Sequence, residues 1–257
     1  MNTTDPATFV ARLRRRERVL GYWVVCDNPE GTERIAALGY DYVCVDGQHG
    51  LIDYAGWRSA LMAIDARGTS AGVVRVPAAD LTWIGFALDA GARGVIVPLV
   101  DNAEEAAAAV RACRYPPDGA RSFGPIRSGL RIGPKPSEAN EAVACIVMIE
   151  TADALRNLAE ICATPGLDGV YVGPSDLRLA VGGAFPGDPA VAEEFDKAVA
   201  AVAQEARKAG IAGGIHCTDG AAASARLAEG FTFATVASDL LHLEKAAADH
   251  LRDARAT

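Results

Sequence analysis

Short runs of apolar, largely β-branched residues recur along the chain, and each is followed by a longer stretch whose apolar positions fall at helical spacing. The runs are 20–26 (LGYWVVC), 41–46 (DYVCVD), 71–76 (AGVVRV), 93–98 (RGVIVP), 144–150 (ACIVMIE), 168–173 (DGVYVG), 211–216 (IAGGIH) and 232–237 (TFATVA). Their length and composition predict strands. Helical patterns rich in Ala, Leu, Glu and Arg fill the gaps near 30–38, 54–67, 80–90, 102–113, 152–163, 189–209, 220–229 and 240–255. Asp80, Asn102 and Thr151 stand where helix N-caps belong, and Gly39, Gly68 and Gly91 where helices end. Strands that are apolar throughout are buried on both faces, as in a parallel sheet covered by helices. Eight such units with no linker or break in composition predict an α/β fold, a single (β/α)8 barrel of the TIM type over residues 1–257.

Composition narrows the function classes. Half of the 257 residues are hydrophobic, enough for a large core. No apolar run reaches the roughly 18 residues that span a membrane. The stretch Val19 to Cys26 is too short for a signal-peptide core, so the chain is expected to be cytoplasmic, with no membrane partner. Net charge is −8 and the one basic block is Arg14 to Arg16, which argues against nucleic acid. The six cysteines are scattered with no C-x-x-C pair, and read as reduced, mostly buried thiols; a zinc site or a thiol nucleophile is the other reading. The stretch 114–138, rich in Gly, Pro, Ser and Arg, is irregular, and fits a lid or a subunit contact.

In such barrels chemistry gathers at the C-terminal ends of the strands. The second predicted strand ends in Asp46-Gly47-Gln48-His49-Gly50, the third carries Arg75, the fifth ends in Glu150, and the sixth runs into Gly173-Pro174-Ser175-Asp176. Glu150 closes an apolar run, where an unpaired charge is costly. With Asp176 it makes an oxygen-rich pair suited to Mg²⁺ or Mn²⁺, or it pairs with one of the many arginines. His49 is either structural or a general base whose ring Asp46 orients. Arg75 needs an anionic partner, either Glu150 or a substrate oxyanion. Asp89 fits a cap, a solvated surface group or a support for His49. His216 is a weaker candidate, and His242 and His250 are expected to be solvated. The four lysines fall in loops and helices, outside the strands, which disfavours an imine-forming aldolase.

Taken together, GYDYVCVDGQHG, VVRVP, LDAGARGVIVP, RYPPDGARSFGP, VMIETADALRNLAEI and GLDGVYVGPSDL resemble the HpcH/HpaI aldolase family in order and spacing, over about residues 18 to 240. These are metal-dependent (class II) pyruvate aldolases, including the 4-hydroxy-2-oxoheptanedioate and 2-keto-3-deoxy-sugar-acid types. The resemblance implies a lyase that joins pyruvate to an aldehyde through an enolate, or runs the cleavage. It implies Glu150 and Asp176 as ligands of Mg²⁺, Mn²⁺ or Co²⁺, His49 as acid/base group with Asp46 and Asp89 behind it, and Arg75 on the enolate oxygen. The Gly173-Pro174-Ser175 turn would receive the pyruvate carboxylate, with Gly173 and Ser175 as N–H donors. It also implies a homo-oligomer, a hexamer built from dimers that exchange the helix at 240–255. Gln48 stands where many members have Glu and Met148 where several have Gln, and Met148 bears on the substrate accepted. A CoA-thioester lyase of the citramalyl/malyl type and a binding-only barrel are the alternatives.

Overall fold

The eight runs form one sheet. A computed structural model describes residues 5–256, and in it β1 (Val19–Val24), β2 (Tyr42–Asp46), β3 (Ala71–Arg75), β4 (Gly94–Val97), β5 (Ala144–Ile149), β6 (Gly169–Val172), β7 (Ala212–Cys217) and β8 (Phe233–Ser238) pair in chain order as a closed parallel barrel. The helices are α1 (Phe9–Arg14), α2 (Pro29–Ala36), α3 (Tyr54–Arg67), α4 (Leu81–Asp89), α5 (Ala103–Cys113), α6 (Ser128–Arg131) and α7 (Pro136–Glu141). They continue as α8 (Ala152–Arg156), α9 (Leu158–Cys162), α10 (Pro174–Ala180), α11 (Ala192–Ala209), α12 (Gly220–Ala228) and α13 (Asp239–Ala254). Asp80, Asn102 and Thr151 accept from backbone N–H groups of α4, α5 and α8, and Gly68 closes α3 in the left-handed region.

Two layers of apolar side chains follow from the period-two alternation of the strands. Val43, Val45, Val74, Val95, Val97, Val147, Val170 and Val172 face outward and pack beneath the helices. Val19, Tyr42, Cys44, Val73, Ile96, Ile146, Met148, Tyr171 and Phe233 face inward and fill the barrel. Gly21 and Gly214 make room there, because a Cβ at either would lie within about 2 Å of the Tyr42 or Phe233 ring. Phe9, Val10 and Leu13 of α1 join this inner cluster, so the N-terminal segment plugs the barrel.

Several local expectations need correction. The stretch 114–138 contains α6 and the start of α7, and the helix expected over 152–163 breaks at Asn157 into α8 and α9. The short helices α1 and α10 had no counterpart in the sequence pattern. Five of the six cysteines are buried, and all six are free thiols. Among the described residues no helix is long and apolar enough to cross a membrane.

Candidate active site

Extending the inward-facing set of each strand toward its C-terminal end gives Trp23 on β1, Asp46 on β2, Arg75 on β3, Glu150 after β5, Gly173 after β6 and His216 on β7. The same alternation that fills the barrel therefore turns its polar residues toward one end. A cavity of about 230 Å³ opens there, lined by Trp23, Val25, His49, Arg75, Met148, Tyr171, Gly173, Pro174, Ser175, Asp176, His216 and Ser238. A larger groove of about 770 Å³ lies between α11 and α12. It is walled by alanines and surface charges and collects no strand ends, so the smaller cavity is the site.

Asp46 and Arg75 form its base. The strands bring them opposite each other, and the guanidinium donates from Nε to Oδ1 at 2.9 Å and from Nη2 to Oδ2 at 2.5 Å. Asp46 also accepts from Trp23 Nε1 at 3.1 Å and from the backbone N–H groups of Gln48 and His49 at 3.0 and 3.1 Å. Burial alone would raise the Asp46 carboxyl, but the hydrogen bonds and charge of Arg75 outweigh it and hold it below the usual range. The guanidinium lies over the Trp23 ring, 5.1 Å from its centroid. The anionic partner of Arg75 is thus Asp46, not Glu150. Asp46 fixes the turn that carries His49 through backbone N–H groups, and the His49 ring is exposed at the cavity mouth.

Glu150 is 2% exposed. Its Oε1 accepts from the Leu99 N–H at 2.9 Å, while Oε2 has no hydrogen-bond partner. Leu99 delivers that N–H from the left-handed region, at φ 55, a costly conformation for a non-glycine residue. Burial pushes the Glu150 carboxyl from its ordinary 4.5 to about 7; the Leu99 N–H opposes this, and the charge of Asp176 adds to it. Gly173 is required beside it, because a Cβ there would sit 2.4 Å from Glu150 Oε2 and 2.8 Å from the Met148 methyl. Pro174 starts α10, and Asp176 lies in its first turn, exposed.

Asp89 is not brought to this cavity. Its carboxylate accepts from Arg121 at 2.7 Å, and it lines a separate cleft with Tyr54 and Arg127. His242 is not merely solvated, since its Nδ1 contacts the Tyr22 hydroxyl at 2.8 Å. His216 moves from a weak candidate to a cavity wall. Trp23 and Tyr171 were missed, and their rings stack, 5.9 Å between centroids and 13° between planes. Strand parity was the available signal for both. Among the described residues, no three His, Cys, Asp or Glu side chains gather as a metal cluster, so the carboxylate pair is the candidate.

A model of the HpcH/HpaI aldolase/citrate lyase family matches residues 19–246. The chain is 42% identical over 238 residues to a hydroxypyruvate/pyruvate aldolase of Rhizorhabdus wittichii, covering 92% of this chain and 94% of the other. It is 39% identical over 241 residues to a 4-hydroxy-2-oxovalerate aldolase of Rhodococcus jostii, covering 93% and 92%. The crystal structure of an HpcH/HpaI aldolase/citrate lyase family protein from Burkholderia cenocepacia superimposes with a TM-score of 0.88 at 34% identity, over 97% of this chain and 100% of that one.

Proposed function

The chain belongs to the HpcH/HpaI aldolase/citrate lyase family, and on that premise we propose that it is a metal-dependent pyruvate aldolase. It joins the methyl carbon of a pyruvate-like 2-oxo acid to an aldehyde, or cleaves a 4-hydroxy-2-oxo acid into the same two pieces. The aldolase names of the relatives favour this over a CoA-thioester lyase.

The observation that carries the metal is the bare Oε2 of Glu150, a buried carboxylate oxygen with no protein donor, in electrostatic contact with Asp176. Such an atom is costly unless something outside the chain binds it, and a pair of carboxylates fits a hard divalent ion such as Mg²⁺, Mn²⁺ or Co²⁺. Glu150 and Asp176 would hold the ion, which when bound supplies Lewis-acid polarisation of the 2-oxo acid. The N–H groups of Gly173 and Ser175, at the start of α10, receive the substrate carboxylate.

Arg75 uses Nε and Nη2 on Asp46, which leaves Nη1 for the oxygen that becomes negative when a methyl proton leaves. Because Asp46 and the Trp23 ring already orient the guanidinium, little reorganisation accompanies that step. His49, at the cavity mouth, takes the methyl proton. The enolate carbon then gives its electron pair to the aldehyde carbon, and the aldehyde oxygen recovers the proton from His49.

Exchange of pyruvate methyl protons with deuterium oxide, followed by NMR on chelator-treated enzyme, tests the reading without an aldehyde. Exchange is expected on adding Mn²⁺ or Mg²⁺ and is expected to be lost in His49→Ala. No exchange with any divalent ion would overturn it.

A further inference from the structure

The cavity has two unlike sides. Arg75, Met148 and the Gly173–Asp176 turn, from β3, β5 and β6, make the side assigned above to the 2-oxo acid. Trp23, Val25, His216 and Ser238, from β1, β7 and β8, make the other. That second wall is apolar except for the imidazole and the Ser238 hydroxyl, and the hydroxyl caps α13 by accepting from the Leu241 N–H.

His216 is held in place by what lies beneath it. The Tyr171 hydroxyl donates to Thr235 Oγ1 at 2.6 Å, and Tyr42 meets the same oxygen at 2.6 Å. With its proton committed to Thr235, the Tyr171 oxygen is an acceptor for His216 Nδ1–H, in a long contact of 3.5 Å. The imidazole also stands edge-on to Trp23, with 5.2 Å between centroids. In that tautomer Nε2 carries the lone pair and has no protein donor among the described residues. Burial and the charge of Arg75 push the imidazole down from 6.5 to about 4 against the pull of Asp46, so the ring is neutral at ordinary pH.

We propose that His216 selects the electrophile: Nε2 accepts a hydrogen bond from a hydroxyl on the incoming aldehyde, so that the site takes short hydroxyaldehydes in preference to aldehydes of the same size without the hydroxyl. This rests on the aldolase reading. A cavity of 230 Å³, smaller than most ligand sites, restricts the partner to a short chain. An acceptor covered by the bound aldehyde and left unpaired beside a methyl group penalises the wrong partner, which is how a polar group in a pocket discriminates more strongly than apolar fit alone.

The test compares glycolaldehyde with propanal, which has a methyl group in place of the hydroxyl, as partners of pyruvate. Specificity is read as the ratio of their kcat/KM values, with pyruvate proton exchange measured in parallel without aldehyde. The wild-type enzyme is expected to favour glycolaldehyde by about tenfold or more. His216→Leu should bring the ratio near one while exchange stays within about twofold of wild type, and His216→Gln, which keeps a polar end, should retain part of the preference. A ratio unchanged in His216→Leu with exchange intact overturns the assignment. Loss of exchange in both variants also overturns it, because the residue would then serve the enolate side. Absence of exchange in the wild-type enzyme overturns the aldolase reading itself, and this inference with it.

Discussion

Glu150 is buried and His216 half-buried, both at strand ends, and burial pushes each toward its uncharged form. Glu150 has one satisfied oxygen and one bare oxygen. Replacing it by Gln preserves volume and removes the anionic ligand. Added Mn²⁺ is therefore expected to raise the melting temperature of the wild-type protein, by about 3 kcal/mol of stabilisation at a hundredfold excess over Kd. Glu150→Gln should fold and show no such rise; an equal rise in the variant would remove Glu150 from the metal site. For His216 the quantity to measure is stability against pH. Its folded value of about 4 lies below its ordinary 6.5, so the unfolded chain binds the proton first as pH falls. The neutral imidazole costs no stability above about 6.5, and stability is lost progressively as pH drops from there to about 4. Burial drives this, the charge of Arg75 adds to it from its side of the cavity and Asp46 opposes it. The gap in unfolding free energy between wild type and His216→Leu should therefore change by about 3 kcal/mol between pH 7 and pH 4, in the variant's favour at low pH. A gap that does not move with pH would mean that the ring takes up its proton as readily in the fold as in the unfolded chain.

The loops that close the site show what strand pattern conveys and what it does not. Leu99, just beyond β4, is 54% exposed and left-handed, and its N–H is its contribution to Glu150. Leu99→Gly keeps that N–H and relieves the backbone, with little apolar burial to lose. The variant is expected to be more stable by roughly 0.5–1 kcal/mol in chemical denaturation, with pyruvate exchange unchanged; a loss of stability would mean that the leucine side chain, not its conformation, matters there. Nothing in the letters around Leu99 announces this role, because it belongs to a backbone group whose direction is set by the whole β4–α5 loop. Asp46, Arg75 and Glu150 were legible, since a charge at the end of an apolar strand has few tolerable places to go. Which charge pairs with which was not legible: the Asp46–Arg75 pairing depends on β2–β3 register, a property of the closed sheet. Trp23 and Tyr171 hid in apolar runs whose parity becomes meaningful only once one face is known to be the barrel interior. The helices α6 and α7 lay in a stretch too rich in Gly and Pro to carry a helical period.

As a whole, the molecule is a filled barrel with one element that does not belong to its core. α13 buries none of its residues and leaves Leu241, Leu243 and Leu251 exposed. Its side-chain ties to the barrel among the described residues are at its first turn: Ser238 caps it, Asp239 accepts from the N–H groups of Val25 and Cys26, and His242 meets Tyr22. A 16-residue helix alone is marginal in water, and its stability ordinarily comes from packing an apolar face. Phe123, Ile126 and Leu130, in and beside α6, are likewise exposed at 62%, 89% and 84%. Isolated leucines on a surface need no account, but a whole helix face without a core does. A second copy of the chain covering α13 satisfies this, in line with the homo-oligomer expected from the sequence. Sedimentation velocity should then give a mass that is a multiple of 26.7 kDa. The double variant Leu243→Glu, Leu251→Glu should shift it toward the single chain while far-ultraviolet circular dichroism stays that of the barrel. A wild-type protein that sediments as one chain at micromolar concentration would show instead that α13 stands on its polar anchors alone.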